Sequence, residues 1–96
     1  MKFQFKNKKL ENLYQSGKGS YSPQIMRGFF KAIQAIKNAE NEMDIHEQKR
    51  LHYHPLKGER KGEWAFNLTG KDRLIVTHKK DHAEKVFIIH DIEDYH

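Results

Sequence analysis

Trp64-Ala65-Phe66-Asn67-Leu68-Thr69-Gly70-Lys71-Asp72-Arg73-Leu74-Ile75-Val76-Thr77-His78 is the stretch that decides the fold. Trp64, Phe66 and Leu68 alternate with Ala65, Asn67 and Thr69. Gly70-Lys71-Asp72 then supplies turn residues, and Leu74, Val76 and His78 alternate again. Period two on both sides of a polar turn is the pattern of a β-hairpin that buries one face. Downstream, Lys79 to His82 reads as a second polar turn, and Val86-Phe87-Ile88-Ile89 as a strand apolar on both faces, as a central strand is.

Upstream of Leu51 the period is helical. Ser22-Pro23 is a helix start, an N-cap residue followed by proline where its missing N–H costs nothing. Ile25, Met26, Phe29, Phe30, Ile33 and Ile36 follow at helical spacing and form the main core-facing stripe. The acidic segment Glu40 to Glu47 ends that helix and leads into a connection. Nearer the start, Phe3 and Phe5 share one side of an extended segment. Asn7 caps a short helix that carries Leu10, Leu13 and Tyr14 on one face, and Gly17 stops it. The order strand, two helices, then three or four strands predicts an α+β fold, with the N-terminal helices packed on one side of a small, mainly antiparallel sheet.

The chain has 96 residues, 36% apolar and 32% charged, with a mean hydropathy of −0.96. One domain spanning residues 1–96, with a thin core, is the expectation. No apolar run approaches the roughly 20 residues that cross a bilayer, and the alternating start lacks the apolar centre of a signal peptide. Without cysteine there are neither disulfides nor thiolate ligands, which suits a reducing cytoplasm. The net charge of +5 is unevenly spread: residues 1–37 carry +7, 38–48 carry −4, 49–85 carry +5 and 86–96 carry −3. Two basic blocks of this size attract a polyanion, most readily nucleic acid, through phosphate contacts and counterion release.

Two segments concentrate reactive side chains. His52-Tyr53-His54-Pro55-Leu56-Lys57-Gly58-Glu59-Arg60-Lys61-Gly62 joins imidazoles and cations in a Pro/Gly-punctuated loop, and His90-Asp91-Ile92-Glu93-Asp94-Tyr95-His96 ends the chain with imidazole, carboxylate and phenol. RNA cleavage without a metal needs a base for the 2′-hydroxyl, cations for the charge that builds at phosphorus, and an acid for the leaving 5′-oxygen. His, Asp and Tyr can exchange protons, while Lys and Arg can hold phosphate. The plain readings compete: His78 and His82 as exposed surface groups, His46 as part of the acidic connector, Trp64 as core, and Lys8, Lys9, Lys79 and Lys80 as solvated turns. A zinc site from His52, His54 and His96 lacks compact ligand spacing.

Taken together, His54-Pro55-Leu56-Lys57-Gly58-Glu59-Arg60-Lys61-Gly62-Glu63-Trp64, Arg73 in the next strand and Glu93-Asp94-Tyr95-His96 at the end resemble the HigB toxins of the RelE-like superfamily. The opening Phe3 to Leu10, with Leu13, Tyr14 and Gly17, is similar to that family's start. The resemblance implies a small curved antiparallel sheet with two N-terminal helices. It also implies an endoribonuclease that enters the ribosomal A site, against 16S rRNA, and cuts translated mRNA without a cofactor. A helix-turn-helix antitoxin of the HigA kind would neutralise it. Residue by residue, it implies His96 and Asp94 as a terminal acid–base pair with Tyr95 beside the nucleotide, His54 completing the proton-transfer set, and Lys57 and Arg73 as cations on the scissile phosphate. Arg60 and Lys61 are assigned to ribosomal or mRNA phosphates. One departure stands out: where many relatives carry Trp before the arginine, Asp72 precedes Arg73, placing a carboxylate beside a phosphate-binding cation. A non-catalytic RNA- or ribosome-binding module and a metal-dependent hydrolase are the competing functions.

Overall fold

The computed structural model describes residues 1–94. Strand β1 (Lys2–Phe5) is followed by helices α1 (Lys8–Ser16), α2 (Pro23–Asn38) and α3 (Glu42–His46). Strands β2 (His54–Pro55), β3 (Trp64–Asn67), β4 (Asp72–Asp81) and β5 (Glu84–Asp94) complete the chain, with 3₁₀ turns at Lys49–Leu51 and Gly58–Arg60. The five strands form one open mixed sheet in the order β1-β5-β4-β3-β2. β1 runs parallel to β5 and every other pair is antiparallel.

The expected helix signals act as written. The Asn7 side-chain oxygen accepts from the Lys9 N–H at 3.2 Å, and Gly17, at φ 68°, closes α1 by donating to the Leu13 carbonyl. The Ser22 hydroxyl oxygen accepts from the Ile25 N–H at 3.2 Å, with Pro23 in the first turn of α2. Phe29, Ile33 and Ile36 of α2 are fully buried against Phe66, Leu74 and Phe87 of the sheet. Among the described residues no helix is long and apolar enough to cross a membrane.

Three local expectations need correction. Glu40 to Glu47 contains a helix, α3, instead of a plain connection: Asn41 caps it by accepting from the Asp44 N–H, the Asp44 carboxylate accepts from the Glu40 N–H, and Ile45 is fully buried. This pair of capping bonds is the signal that the acidic composition hid. The second hairpin is tighter than expected, because β4 continues to Asp81 and only His82 and Ala83 turn, at φ 51° and 70°. Paired positive φ values give the type I′ turn that matches the twist of long strands. Finally, β3 ends at Asn67, and Ala65 and Ile75, on the face away from the helices, are buried as deeply as the core. The loop between β2 and β3 is tied across that face by Arg60.

Candidate functional site

Register brings the reactive residues together. His54 pairs with Ala65, Ala65 with Ile75 and Ile75 with Asp91, while Arg73 pairs with both Asn67 and Glu93. These residues therefore share the sheet face opposite the helices. At the β2 end of that face a cleft of about 240 Å³ is lined by His52, His54, Asn67, Lys71, Asp72 and Arg73, together with the turn between β3 and β4.

The two imidazoles stack, with ring centroids 4.3 Å apart. His54 Nδ1 lies 2.6 Å from the His52 carbonyl oxygen. A carbonyl can only accept, so Nδ1 carries the hydrogen, and the neutral ring keeps its lone pair on Nε2. His52 reaches this position at φ 44°, a left-handed conformation unusual for a side-chain-bearing residue. What holds the segment is Tyr53, 5% exposed, whose ring stacks on Trp64 at 4.6 Å. Its hydroxyl donates to the Glu42 carboxylate at 2.9 Å and lies 2.7 Å from His78 Nε2. With the phenolic hydrogen committed to Glu42, His78 donates to the phenol oxygen, and Lys85 completes the chain as an ion pair with Glu42.

This corrects the reading of His78 as a surface group: it is half-buried, packed edge-on against Phe87. Burial, and next the Lys85 charge, push its pKa down against the pull of Glu42. Burial also works to raise the Glu42 carboxyl, but the bonds from Lys85 and Tyr53 outweigh it and hold that carboxyl low. Burial and Glu42 push the Tyr53 phenol far up. His82 is a surface residue, its side chain 96% exposed.

Arg60 is committed within the protein. It makes two parallel bonds to the Glu93 carboxylate, at 2.6 and 2.9 Å, and two to Glu63, at 3.1 and 2.7 Å. The bonds from Arg60 outweigh burial and hold the Glu93 carboxyl below its usual range. Arg60 thus staples the loop to the end of β5, making four guanidinium hydrogen bonds to carboxylates. Lys57 and Lys61 flank the staple, both exposed, each followed by a left-handed glycine, Gly58 and Gly62. They stand outside the lining of the cleft.

Asp72, the departure from the family pattern, is 5% exposed and spent in its turn. Its carboxylate accepts from the Thr69 hydroxyl at 2.6 Å, and its carbonyl accepts from the Leu68 and Thr69 N–H groups. A hydrogen bond with Asp94, then the one from Thr69, keeps its carboxyl below the usual range. Asp94 pairs with Asp72 in register and lines the adjoining groove with Ser22 and Gln24. Tyr95 and His96 lie outside the described residues.

Sequence reasoning placed His90 in the reactive C-terminal segment but gave it no role of its own. Ile75 pairs with Asp91 but Val76 with Ile89, so His90 is the extra residue of a β-bulge. Its Nε2 lies 2.7 Å from the Thr77 hydroxyl. Burial, then Lys6, lower its pKa. No local pattern announces a bulge, which exists only in the pairing of two strands. Among the described residues no group of three His, Cys, Asp or Glu is placed to hold a metal ion.

Comparison with known proteins fits this architecture. A YoeB/ParE toxin from Agrobacterium tumefaciens superposes with a TM-score of 0.60 at 12% identity over 100% of both chains. YafQ from Escherichia coli strain BL21(DE3) superposes with a TM-score of 0.59 at 12% identity, over 96% of this chain and 90% of that one. At such identity these likenesses establish the fold alone. No curated protein sequence matched. The family model for the RelE-like toxin of the type II toxin–antitoxin system HigB matches residues 3–96, and the chain belongs to this HigB-like toxin family.

Proposed function

We propose that this toxin is a metal-independent, ribosome-dependent mRNA endonuclease that acts in the cytoplasm and cuts translated mRNA in the A site. The observation that carries the reading is the cleft, where an imidazole with its hydrogen fixed on Nδ1 and a guanidinium from β4 share one lining, one turn away from the carboxylate that precedes Tyr95 and His96.

In this reading a base drawn from His54, Asp94 and His96 takes the 2′-hydroxyl proton, and the 2′-oxygen attacks the adjacent phosphorus in line. The bond from phosphorus to the 5′-oxygen breaks, leaving a 2′,3′-cyclic phosphate on one fragment. A protonated partner from the same set gives its proton to the departing 5′-oxygen. Arg73 and Lys57 hold the charge that builds on the phosphate oxygens, Arg73 by a fork of hydrogen bonds and Lys57 as a point charge. Tyr95 orients the nucleotide, and Lys61 meets ribosomal or mRNA phosphate. Arg60 keeps the loop in place. Being a type II toxin, the protein has an antitoxin partner; a HigA-like helix-turn-helix protein is the proposed one.

Primer extension on a defined mRNA incubated with ribosomes tests this. Cuts within A-site codons are expected from the wild type, none from His96→Ala, and none on naked RNA. Intact transcripts under every condition overturn the reading. Growth arrest that survives a His54→Ala/Lys57→Ala double substitution would favour the non-catalytic RNA- or ribosome-binding module instead.

A further inference from the structure

The cleft is not isolated. A groove of about 350 Å³ begins at the same Thr69-Gly70 turn and runs between it and α2, with Arg27 and Lys31 on its helix wall. Lys31 also lines a third groove, about 420 Å³, which continues between α2 and the 3₁₀ turn bearing Lys49 and Arg50. The shared residues make the three grooves one path from the cleft across the helical side of the molecule.

Beyond the cleft, whose lining includes Asp72, the path is cationic. No carboxylate lines the second or third groove. Lys2, Lys9, Arg60 and Lys85 each stand within ion-pairing distance of a carboxylate. Among the described residues, Arg27, Lys31, Lys49 and Arg50 do not. All four are exposed. Cations without a carboxylate partner are common on this surface; what sets these four apart is that they lie along one concave path whose walls beyond the cleft carry no acid, which concentrates positive potential there. Side-chain amides (Gln34, Asn38, Gln48) stand between the cations, over a floor of Ala35 and Leu51. No aromatic ring lines these two grooves, so the chemistry suits a phosphate backbone with amide contacts and offers no platform for base stacking.

We propose that this belt holds the single-stranded RNA whose scissile phosphate occupies the cleft, gripping the backbone beyond the cut site without regard to sequence. The inference rests on the endonuclease reading for the strand's identity. Arg27 and Lys31, one helical turn apart and so separated by about 6 Å along α2, give the strand successive anchors. Lys49 and Arg50 receive it at the far end.

The test is binding of uncleavable 2′-O-methyl RNA, about 4 or about 14 nucleotides long, measured by fluorescence anisotropy across a salt series. The wild type should bind the longer strand at least about tenfold more tightly. The Arg27→Gln/Lys31→Gln/Lys49→Gln variant should lose that gain while binding the short strand as before. Its salt dependence for the long strand should be shallower by about 2 in the log–log slope, from three lost phosphate contacts at roughly 0.7 each. Lys31→Gln alone, at the junction of the grooves, should give part of the loss and guards against misfolding of the triple variant.

Equal affinity of the wild type for both lengths overturns the belt, as does a folded triple variant that binds long RNA normally. Unchanged RNA binding with weakened antitoxin binding would assign the grooves to an acidic segment of the antitoxin and likewise overturn it. The two readings fail separately: cleavage on ribosomes with no length dependence removes the belt alone, whereas length-dependent binding without cleavage removes the endonuclease alone.

Discussion

The His52 carbonyl, and not its ring, fixes the tautomer of His54. The bond to Nδ1 runs to backbone oxygen, so substitutions at the two histidines should separate. His54→Ala removes a proton-transfer group and should lower cleavage by about 100-fold or more. His52→Gly keeps the carbonyl and relieves the left-handed φ of 44°, so cleavage should fall far less, by no more than about threefold given that only a stacked ring is lost. Single-turnover rates on ribosomes measure both, and equal damage from the two substitutions would show that the stacked ring matters as much as the tautomer.

At the scale of elements, two close contacts set the shape of the site. The first is the staple. If Arg60 acts through Glu93, then Arg60→Ala and Glu93→Ala should lower cleavage by the same factor, and the double variant should be no worse than either. The coupling in stability should be about 1 kcal/mol, since both side chains are about a third exposed. A phosphate contact by Arg60 predicts the opposite pattern, with Arg60→Ala much the more damaging, and the cycle read by urea unfolding and cleavage distinguishes the two. The second contact is Gly28 of α2, where a Cβ would stand 2.4 Å from the Leu68 carbonyl oxygen. Alanine is the better helix former by about 1 kcal/mol, yet here it must push back the turn that carries Arg73. Gly28→Ala should therefore destabilise by about 2 kcal/mol and lower cleavage with it. An unchanged or higher urea midpoint would show that the helix and the turn can part at no cost.

How much of this was legible depended on range. Caps and stops at Asn7, Gly17 and Ser22 are read within a few residues, and the hairpin within fifteen or so, which is why helices and strands emerged from the sequence. α3 hid inside an acidic run because its cap, Asn41 accepting from Asp44 and Asp44 accepting from Glu40, sits in a segment too short to show a period. His54 and Arg73 were found through the family pattern, and register then placed them in one cleft. The partner of Arg60 lies 33 residues away, that of His78 25 residues away, and the bulge at His90 belongs to no single strand; none of these has a local signature.

For the whole molecule, the network around Tyr53 joins α3, the approach to β2, β4 and β5, and it makes folding sensitive to acid. His78 is half-buried in its neutral form, with its folded pKa below the ordinary imidazole value of 6.5, and His90 shifts the same way. Below that value the unfolded chain binds protons that the folded chain refuses, so stability is lost as pH falls from 6.5 toward the folded values, with a slope of at most about 1.4 kcal/mol per pH unit for each histidine. Glu42 acts in the same direction at lower pH: its depressed carboxyl adds stability above its ordinary 4.5 that disappears as pH falls through the folded value. Urea unfolding should therefore give a free energy that declines steadily from pH 7 toward 5. In His78→Gln, which keeps a donor for the Tyr53 oxygen and cannot titrate, the curve should start lower from imperfect packing but decline less steeply over that interval. If the two curves run parallel, His78 is taking up its proton in the folded state, with Nε2 still donating to the Tyr53 oxygen, and its burial does not hold it neutral.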